Sequence, residues 1–311
     1  MTADTLTASY LVCERVARRR ARNFYYGFLL LPRPKRSALC ALYAFMRHVD
    51  DVADTPGELS GRRQALEHLR EQCRRLPTAV PGDQAFWPAL ADTLERYGVP
   101  TGYLLDVIDG AASDLGTVRY ETFAQLRQYC YRVAGAVGCA CVYVFGFRDP
   151  AAIERAEQLG IAFQLTNILR DLRRDLQMGR VYLPEEDFVR FGCTTAELAR
   201  TTPPEGPLRS LLQFEGQRAW EFFARGWQLL PLVDPDSRPA LWALARIYSG
   251  LLAEMERRNY DVFSRPVRLT TAEKFGVLMR ASLGPAGGHT FDQRNRDWWG
   301  FSRAVFRARP R

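Results

Sequence analysis

Between Ile161 and Gln177 the chain repeats polar side chains every third or fourth residue: Gln164, Asn167, Asp171 and Asp175, with Leu165, Ile168, Leu169, Leu172 and Leu176 between them. On a helix turning about 100° per residue, the four polar positions fall within about 80° of one another. Two amides and two carboxylates therefore share one stripe with apolar flanks. Oxygen-only donors of this kind suit a hard cation such as Mg²⁺, which keeps several waters and is completed by substrate phosphates. A stripe of that sort needs a partner.

The partner lies upstream, in "ALYAFMRHVDDVAD". Arg47, Asp50 and Asp54 fall within about 60° on a helical projection, and Asp51 sits on the same side as Asp54. A run of charge is usually a solvated helix face. Here the carboxylates are embedded in apolar turns, "ALYAF" and "AFQLTNIL", and two matched clusters occur rather than one. Facing each other, the stripes would hold a small group of divalent ions between them, and such a group binds diphosphate.

The motifs "YAFMRHVDDVAD", "YCYRVAGAVG" and "QLTNILRDLRRDLQMGRVYLP" occur in that order between Asn23 and Arg265. On these motifs the chain resembles the squalene/phytoene synthase family, the head-to-head condensing enzymes of isoprenoid metabolism. The resemblance implies an all-α, single-domain helical bundle of the isoprenoid synthase type with a central cavity. It also implies Mg²⁺, or Mn²⁺, as cofactor and prenyl diphosphates as substrates.

Composition agrees with the all-α class. Helix formers, Ala, Leu, Arg and Glu above all, dominate the 311 residues, and alternating β-branched runs are scarce. The formal charge of +8 would suit nucleic acid, an anionic membrane surface or a multiply charged small substrate. No nucleic-acid module is recognisable and the arginines are dispersed, which leaves a polyanionic substrate and a peripheral membrane surface. Seven cysteines without a CxxC pair point to reduced, buried thiols and a cytoplasmic protein, and three histidines give little support to a Zn site or a His-based triad. "MTADTLTASYLVCERVARRRAR" has no apolar core of adequate length, so no signal peptide is expected. The longest uncharged run, Val133 to Phe147, is short of a bilayer span and reads as a buried core helix.

Helices are expected over residues 1–22, 36–54, 62–76, 86–97, 102–114, from Thr122 through "YCYRVAGAVGCACVYVF", over the acidic stripe, over 207–230, and over "LWALARIYSGLLAEMERR". In the Thr122 helix the small residues Ala134, Gly135, Ala136, Gly138 and Ala140 permit either close approach of a neighbouring backbone or a groove for a long ligand. Both readings stay open at this point. Residues 1–284 are expected to form one domain, and 285–311 a basic, aromatic tail joined through the flexible "GPAGG". Its Trp298, Trp299, Phe301, Val305 and Phe306 alternate with Arg296, Arg303, Arg307 and Arg309, a pattern suited to an anionic membrane.

The resemblance also assigns residues. Asp50, Asp54, Asp171, Asp175 and Asn167 match the family's metal-binding positions, and Tyr129 matches the tyrosine beside the reacting carbons. Arg20 and Phe24 would lie at the mouth of the diphosphate site, and Tyr248 and Arg265 match positions that contact substrate; Arg47, Asp51, Gln164, Arg170, Arg180 and Tyr182, on or just beyond the two stripes, are further candidate substrate-binding groups, and Tyr43 is a candidate for the pocket lining. Asp109 and Asp114 point toward the same mouth in family members, although Asp114 could equally cap a turn. The chain departs from the family at Ala21 and Asn23, where serines are usual. Asn can still donate to phosphate; Ala cannot.

Together these parts make machinery for ionising an allylic diphosphate: a Lewis acid held by the acids, donors for the leaving oxygens, and a dry aromatic pocket for the carbocation. Head-to-tail elongation and terpene cyclisation use similar acidic pairs, so 1′–1 joining rests on the resemblance. The segments "NFYYGFLLLP", "GRVYLPEED" and "RNYDVF" resemble bacterial presqualene diphosphate synthases, which join two farnesyl diphosphates. Phytoene synthesis from two geranylgeranyl diphosphates is the alternative, followed by complete squalene or dehydrosqualene synthesis, with NADPH entering only if the reductive half-reaction is also catalysed. A non-catalytic helical interaction protein would be expected to lose the paired acids, which are intact here.

Overall fold

The structure, a computed structural model, describes residues 2–283 other than residues 22, 77, 79, 117 and 200–202, and leaves aside the side chain of Asn23. The expected tail, residues 285–311, lies outside the described residues.

Local signals in the sequence set the helix boundaries. The first helix, α1 (Ala3–Arg20), starts where the Thr2 hydroxyl accepts from the Thr5 N–H. A short α2 (Asn23–Phe28) leads into α3 (Arg33–Asp54), whose Pro34 sits in the first turn, where the missing N–H costs nothing. Next come α4 (Leu59–Arg74) and α5 (Trp87–Tyr97), the latter closed by Gly98 in the left-handed conformation at φ 64. α6 (Gly102–Ser113) and α7 (Phe123–Cys130) follow, and the Thr122 hydroxyl caps α7 through the Gln125 N–H. A π-helical turn over Tyr131–Gly135 joins α7 to α8 (Ala136–Phe145), and α9 (Ala151–Gln177) carries the acidic stripe. After it come α10 (Glu185–Phe191), α11 (Gly206–Gly226), α12 (Arg238–Arg257) and α13 (Thr271–Ser282). Among the described residues there is no β-strand, only an isolated bridge between Phe147 and Val233.

The all-α expectation holds. Two elements differ from it. The helix expected to run unbroken from Thr122 is interrupted by the π turn, which shifts the register of everything after Cys130 and turns Val133 and Ala134 toward the interior. No helix is expected beyond α12, yet after the non-helical residues 258–270 comes α13, opened by a capping box in which Thr270 and Glu273 satisfy each other's backbone N–H groups.

The longest helix, α9, packs against α8, α11 and α12 and against the π turn. Glycine makes that packing close: a Cβ on Gly138 would fall 2.6 Å from the Ala156 carbonyl oxygen. Large side chains such as Phe45, Trp87, Trp220 and Phe223 are fully buried in one continuous core. Each contributes roughly 3 kcal/mol through burial. Lys35 ties the start of α3 to the end of α8 and to the turn before α12: its Nζ donates to the Phe145 carbonyl at 2.8 Å and to Asp236 at 2.7 Å. The seven cysteines are all described, and none is bridged. Among the described residues no helix is long and apolar enough to cross a membrane.

Candidate active site

Residues of α2, α3, α6 to α9 and α12 line a cavity of about 370 Å³, and its main walls grade from apolar to polar along their length. On α3 the lining runs from Leu39 and Leu42 through Tyr43 and Met46 to Asp50; on α9 it runs from Ala156, Leu159 and Gly160 through Phe163 to Gln164 and Asn167. The α7–α8 pair is antiparallel to both, with Tyr129 at the polar end and Val137, Cys141 and Phe145 deeper. The apolar half can hold a hydrocarbon chain, and the polar half opens where α3 and α9 bring their acids. The small residues serve both expected purposes, since Gly138 abuts α9 and also lines the cavity.

Asp50 faces the cavity while surrounded by protein, and burial together with Asp54, Asp51 and Asp114 pushes its pKa up to about 6, against the pull of Arg47. Asp175 on α9 is also raised to about 6, by burial, by Asp171 and by Asp114, with Arg174 and Arg180 opposing. Asp114, just after α6, is thus felt by acids of both stripes. The stripes converge on one region. Arg180, in the turn after α9, reaches across to Asp54 at 4.0 Å.

Asp114 carries a second set of contacts. It accepts from the Tyr129 hydroxyl at 2.8 Å and from the Tyr182 hydroxyl at 3.1 Å. The two rings stack with centroids 5.2 Å apart, and Tyr120 packs on both. Burial raises the Asp114 pKa, although the two hydroxyls and Arg180 counter it. The Tyr129 phenol is held well above its usual range by burial and by Asp114. Tyr248 is sandwiched by two rings that line the cavity, Phe163 at 4.2 Å and Phe24 at 5.4 Å, and burial pushes its pKa up to about 12.

Of the residues singled out in the sequence, Phe24, Tyr43, Asp50, Tyr129, Gln164 and Asn167 line the cavity. Asp54, Asp175, Arg180 and Tyr182 cluster at its mouth through the contacts above. Arg170 holds Asp171 with two hydrogen bonds, at 2.9 and 2.5 Å, and both line an adjoining cleft. Arg20 is exposed at the end of α1, close enough for its charge to act on Tyr43. Arg47 is engaged by Asp51.

Two positions do not join the site. Arg265 is exposed and lines neither space: it sits in the bend over residues 263–265, while Arg268 lines the cleft that Arg170 also lines. Asp109 is engaged by Arg70 of α4, so of the two acids ending α6 only Asp114 reaches the mouth. Ala21 is buried and offers no donor.

Among the described residues no three acids or histidines converge closely enough to hold an ion unaided. The donor set nonetheless fits a hard cation that keeps water and substrate oxygens. It consists of carboxylates and of the Asn167 Oδ1, which is buried with no hydrogen-bond donor while its Nδ2 donates to Gln164 at 3.3 Å. An orphaned carbonyl oxygen beside crowded carboxylates is a place for positive charge.

Residues 17–273 match the squalene/phytoene synthase family. The chain is 37% identical over 287 residues to a phytoene synthase of Mycobacterium tuberculosis, covering 90% of this chain and 94% of that one. It is 36% identical to the 15-cis-phytoene synthase of Synechocystis, covering 88% and 85%. Among solved structures it resembles a dehydrosqualene synthase in complex with ligand, at a TM-score of 0.82 and 30% identity, covering 89% of this chain and 96% of that one. It also resembles squalene synthase HpnC from Alicyclobacillus acidocaldarius, at 0.77 and 29%, covering 84% and 97%. Sequence match and shared architecture agree over nearly the whole chain, which belongs to the squalene/phytoene synthase family of prenyltransferases.

Proposed function

We propose that the protein joins two geranylgeranyl diphosphates head to head to give phytoene, and that its reaction centre is the polar mouth between α3 and α9. The observation that carries the mechanism is that one cavity is lined by Asp50 of α3, by Asp114 and Tyr129, and by Gln164 and Asn167 of the acidic stripe on α9. The sequence segments alone favoured farnesyl diphosphate and presqualene diphosphate. Relatives named phytoene synthase, alike over nine-tenths of the chain, move the choice to the longer substrate. Farnesyl diphosphate remains the second reading, favoured by the likeness to a dehydrosqualene synthase and to squalene synthase HpnC.

The donor diphosphate breaks its C1–O bond, and the double bond of the acceptor attacks the allylic cation; loss of one proton closes a cyclopropane. The second diphosphate then leaves, the skeleton rearranges to the 1′–1 bond, and loss of a second proton gives the hydrocarbon. Two substrates thus lose two diphosphates and two protons, and no reductant is needed. A squalene product would instead require a hydride donor such as NADPH.

Asp50, Asp54, Asp171, Asp175 and Asn167 would hold Mg²⁺, which when bound neutralises the leaving diphosphate. Arg180 and Arg170 bring fixed positive charge to the leaving oxygens, where preorganised donors act most strongly. Phe24 and Phe163, packed on Tyr248, wall the cavity and exclude water from the cation, and their π faces favour positive charge. The Tyr129 hydroxyl donates to Asp114, which fixes its oxygen at the polar end of the cavity, beside the reacting carbons. The substrate, an anionic head on a long hydrocarbon chain, and the basic chain suit the edge of a membrane as a source of prenyl diphosphate and a sink for product.

Purified protein with Mg²⁺ and either geranylgeranyl or farnesyl diphosphate, with and without NADPH, tests this reading by product analysis. Phytoene from the longer substrate without NADPH supports it. Turnover of farnesyl diphosphate alone replaces it with the second reading.

A further inference from the structure

The surplus charge of this chain is not spread over the bundle. From Arg257 to Arg311 there are twelve Lys and Arg residues against four Asp and Glu, so the whole formal +8 lies in this stretch, while residues 1–256 hold 31 of each sign. Within its described part the acids are engaged. Glu273 is buried in the Thr270 capping box, and Asp261 accepts from the backbone N–H groups of Phe263 and Ser264. Arg257 and Arg258 are paired with Glu254 just outside the stretch, whereas Arg265, Arg268 and Arg280 are exposed.

The same stretch carries an apolar face. Phe275 and Met279 on α13, and Leu283 at its C-cap, are 60, 47 and 83% exposed. Spaced four residues apart, they lie within about 80° of one another, and Ala272 extends the line by one turn. Val277 and Ala281 bury the opposite side against the protein. Water alone gives no reason to put Phe, Met and Leu in register there.

We infer that this face of α13, with the cations around it, docks on an anionic lipid bilayer. Positive charge draws the chain to such a surface, and a short row of large apolar side chains can enter the boundary between headgroups and acyl chains. An acidic polymer would answer the charge and leave the row unexplained, whereas a bilayer answers both. From Leu283 the sequence continues with six Arg against two Asp and with Trp298, Trp299 and Phe301, the same chemistry in the residues that follow. The inference deepens the proposed function, for which both substrate and product are lipids.

The test is co-sedimentation of the full chain with vesicles of phosphatidylcholine and phosphatidylglycerol, and with vesicles of phosphatidylcholine alone. Binding is expected to be at least about tenfold tighter to the anionic vesicles and to weaken with salt. The triple variant Phe275→Ser, Met279→Ser, Leu283→Ser should lose about tenfold on anionic vesicles, and Arg280→Glu should lose a smaller factor. Both should keep the wild-type helical circular dichroism and the wild-type turnover in detergent. Equal binding to both vesicle types, no binding to either, or a triple variant that binds like wild type would overturn the inference. So would retention on heparin that the triple variant shares while vesicles are ignored, which would make the surface a polyanion site. Vesicle binding is measured without prenyl diphosphate, so its outcome stands apart from that of the product assay.

Discussion

The Arg180 guanidinium stands 4.0 Å from the Asp54 carboxylate, linking the turn after α9 to the last residue of α3. The contact is partly solvated, with the Asp54 side chain 64% exposed, so its worth for stability is small. Its value is positional, because it sets a fixed cation at the mouth of the cavity, where Asp114 also senses it. Arg180→Ala should lower kcat/KM by about 10²-fold through loss of charge stabilisation on the leaving group. Arg265→Ala, at an exposed position away from the cavity, should change it less than about twofold. Steady-state kinetics on the two variants separates these outcomes.

Asp114 is the hub of the tyrosine cluster. Asp114→Asn keeps the size and can still accept a hydroxyl, but it loses the charge that holds two donors at once. The variant should lose about 10²-fold in kcat while the Mg²⁺ concentration for half-maximal rate stays near the wild-type value. A shift in Mg²⁺ requirement with kcat unchanged would make Asp114 a metal ligand instead.

Close backbone approach makes Gly138 a stability residue. Val there would press on the Ala156 carbonyl, which cannot move without shifting α9. Gly138→Val should destabilise the fold by about 1–3 kcal/mol in urea unfolding.

Glu215 gives the fold a pH dependence. Burial, first, and then Asp187 push its pKa up to about 8, although Arg218 opposes them. Arg218 donates to both acids at 2.8 Å, so one cation is shared between two carboxylates. A carboxyl whose pKa rises on folding holds its proton more tightly in the native state. Its contribution is therefore complete below the unfolded value and is lost as pH climbs through about 8. The melting temperature should fall as pH rises from 5 to 9, and Glu215→Gln should flatten that slope.

Much of the site was legible because helical spacing is a local property. The stripe Gln164, Asn167, Asp171 and Asp175 lies on α9, and Asp50 and Asp54 end α3, as their periodicity indicates. What spacing cannot carry is where a helix changes register and which of two neighbouring side chains turns inward. The π turn at Tyr131–Gly135 depends on packing against α6 and α9 and has no sequence signature of its own. Arg268 lines the cleft where Arg265, in the bend over residues 263–265, does not, and Asp109 is drawn away by an arginine on another helix. By contrast, α13 was readable in the Thr270 and Glu273 pair that opens it.

Binding of a non-ionisable prenyl thiodiphosphate, followed by calorimetry with and without Mg²⁺, tests most directly whether α3 and α9 act on one diphosphate. Wild type should bind in a Mg²⁺-dependent way, and Asp50→Asn and Asp171→Asn should each abolish that dependence while the helical circular dichroism stays native. Mg²⁺-dependent binding that survives in either variant would contradict the account.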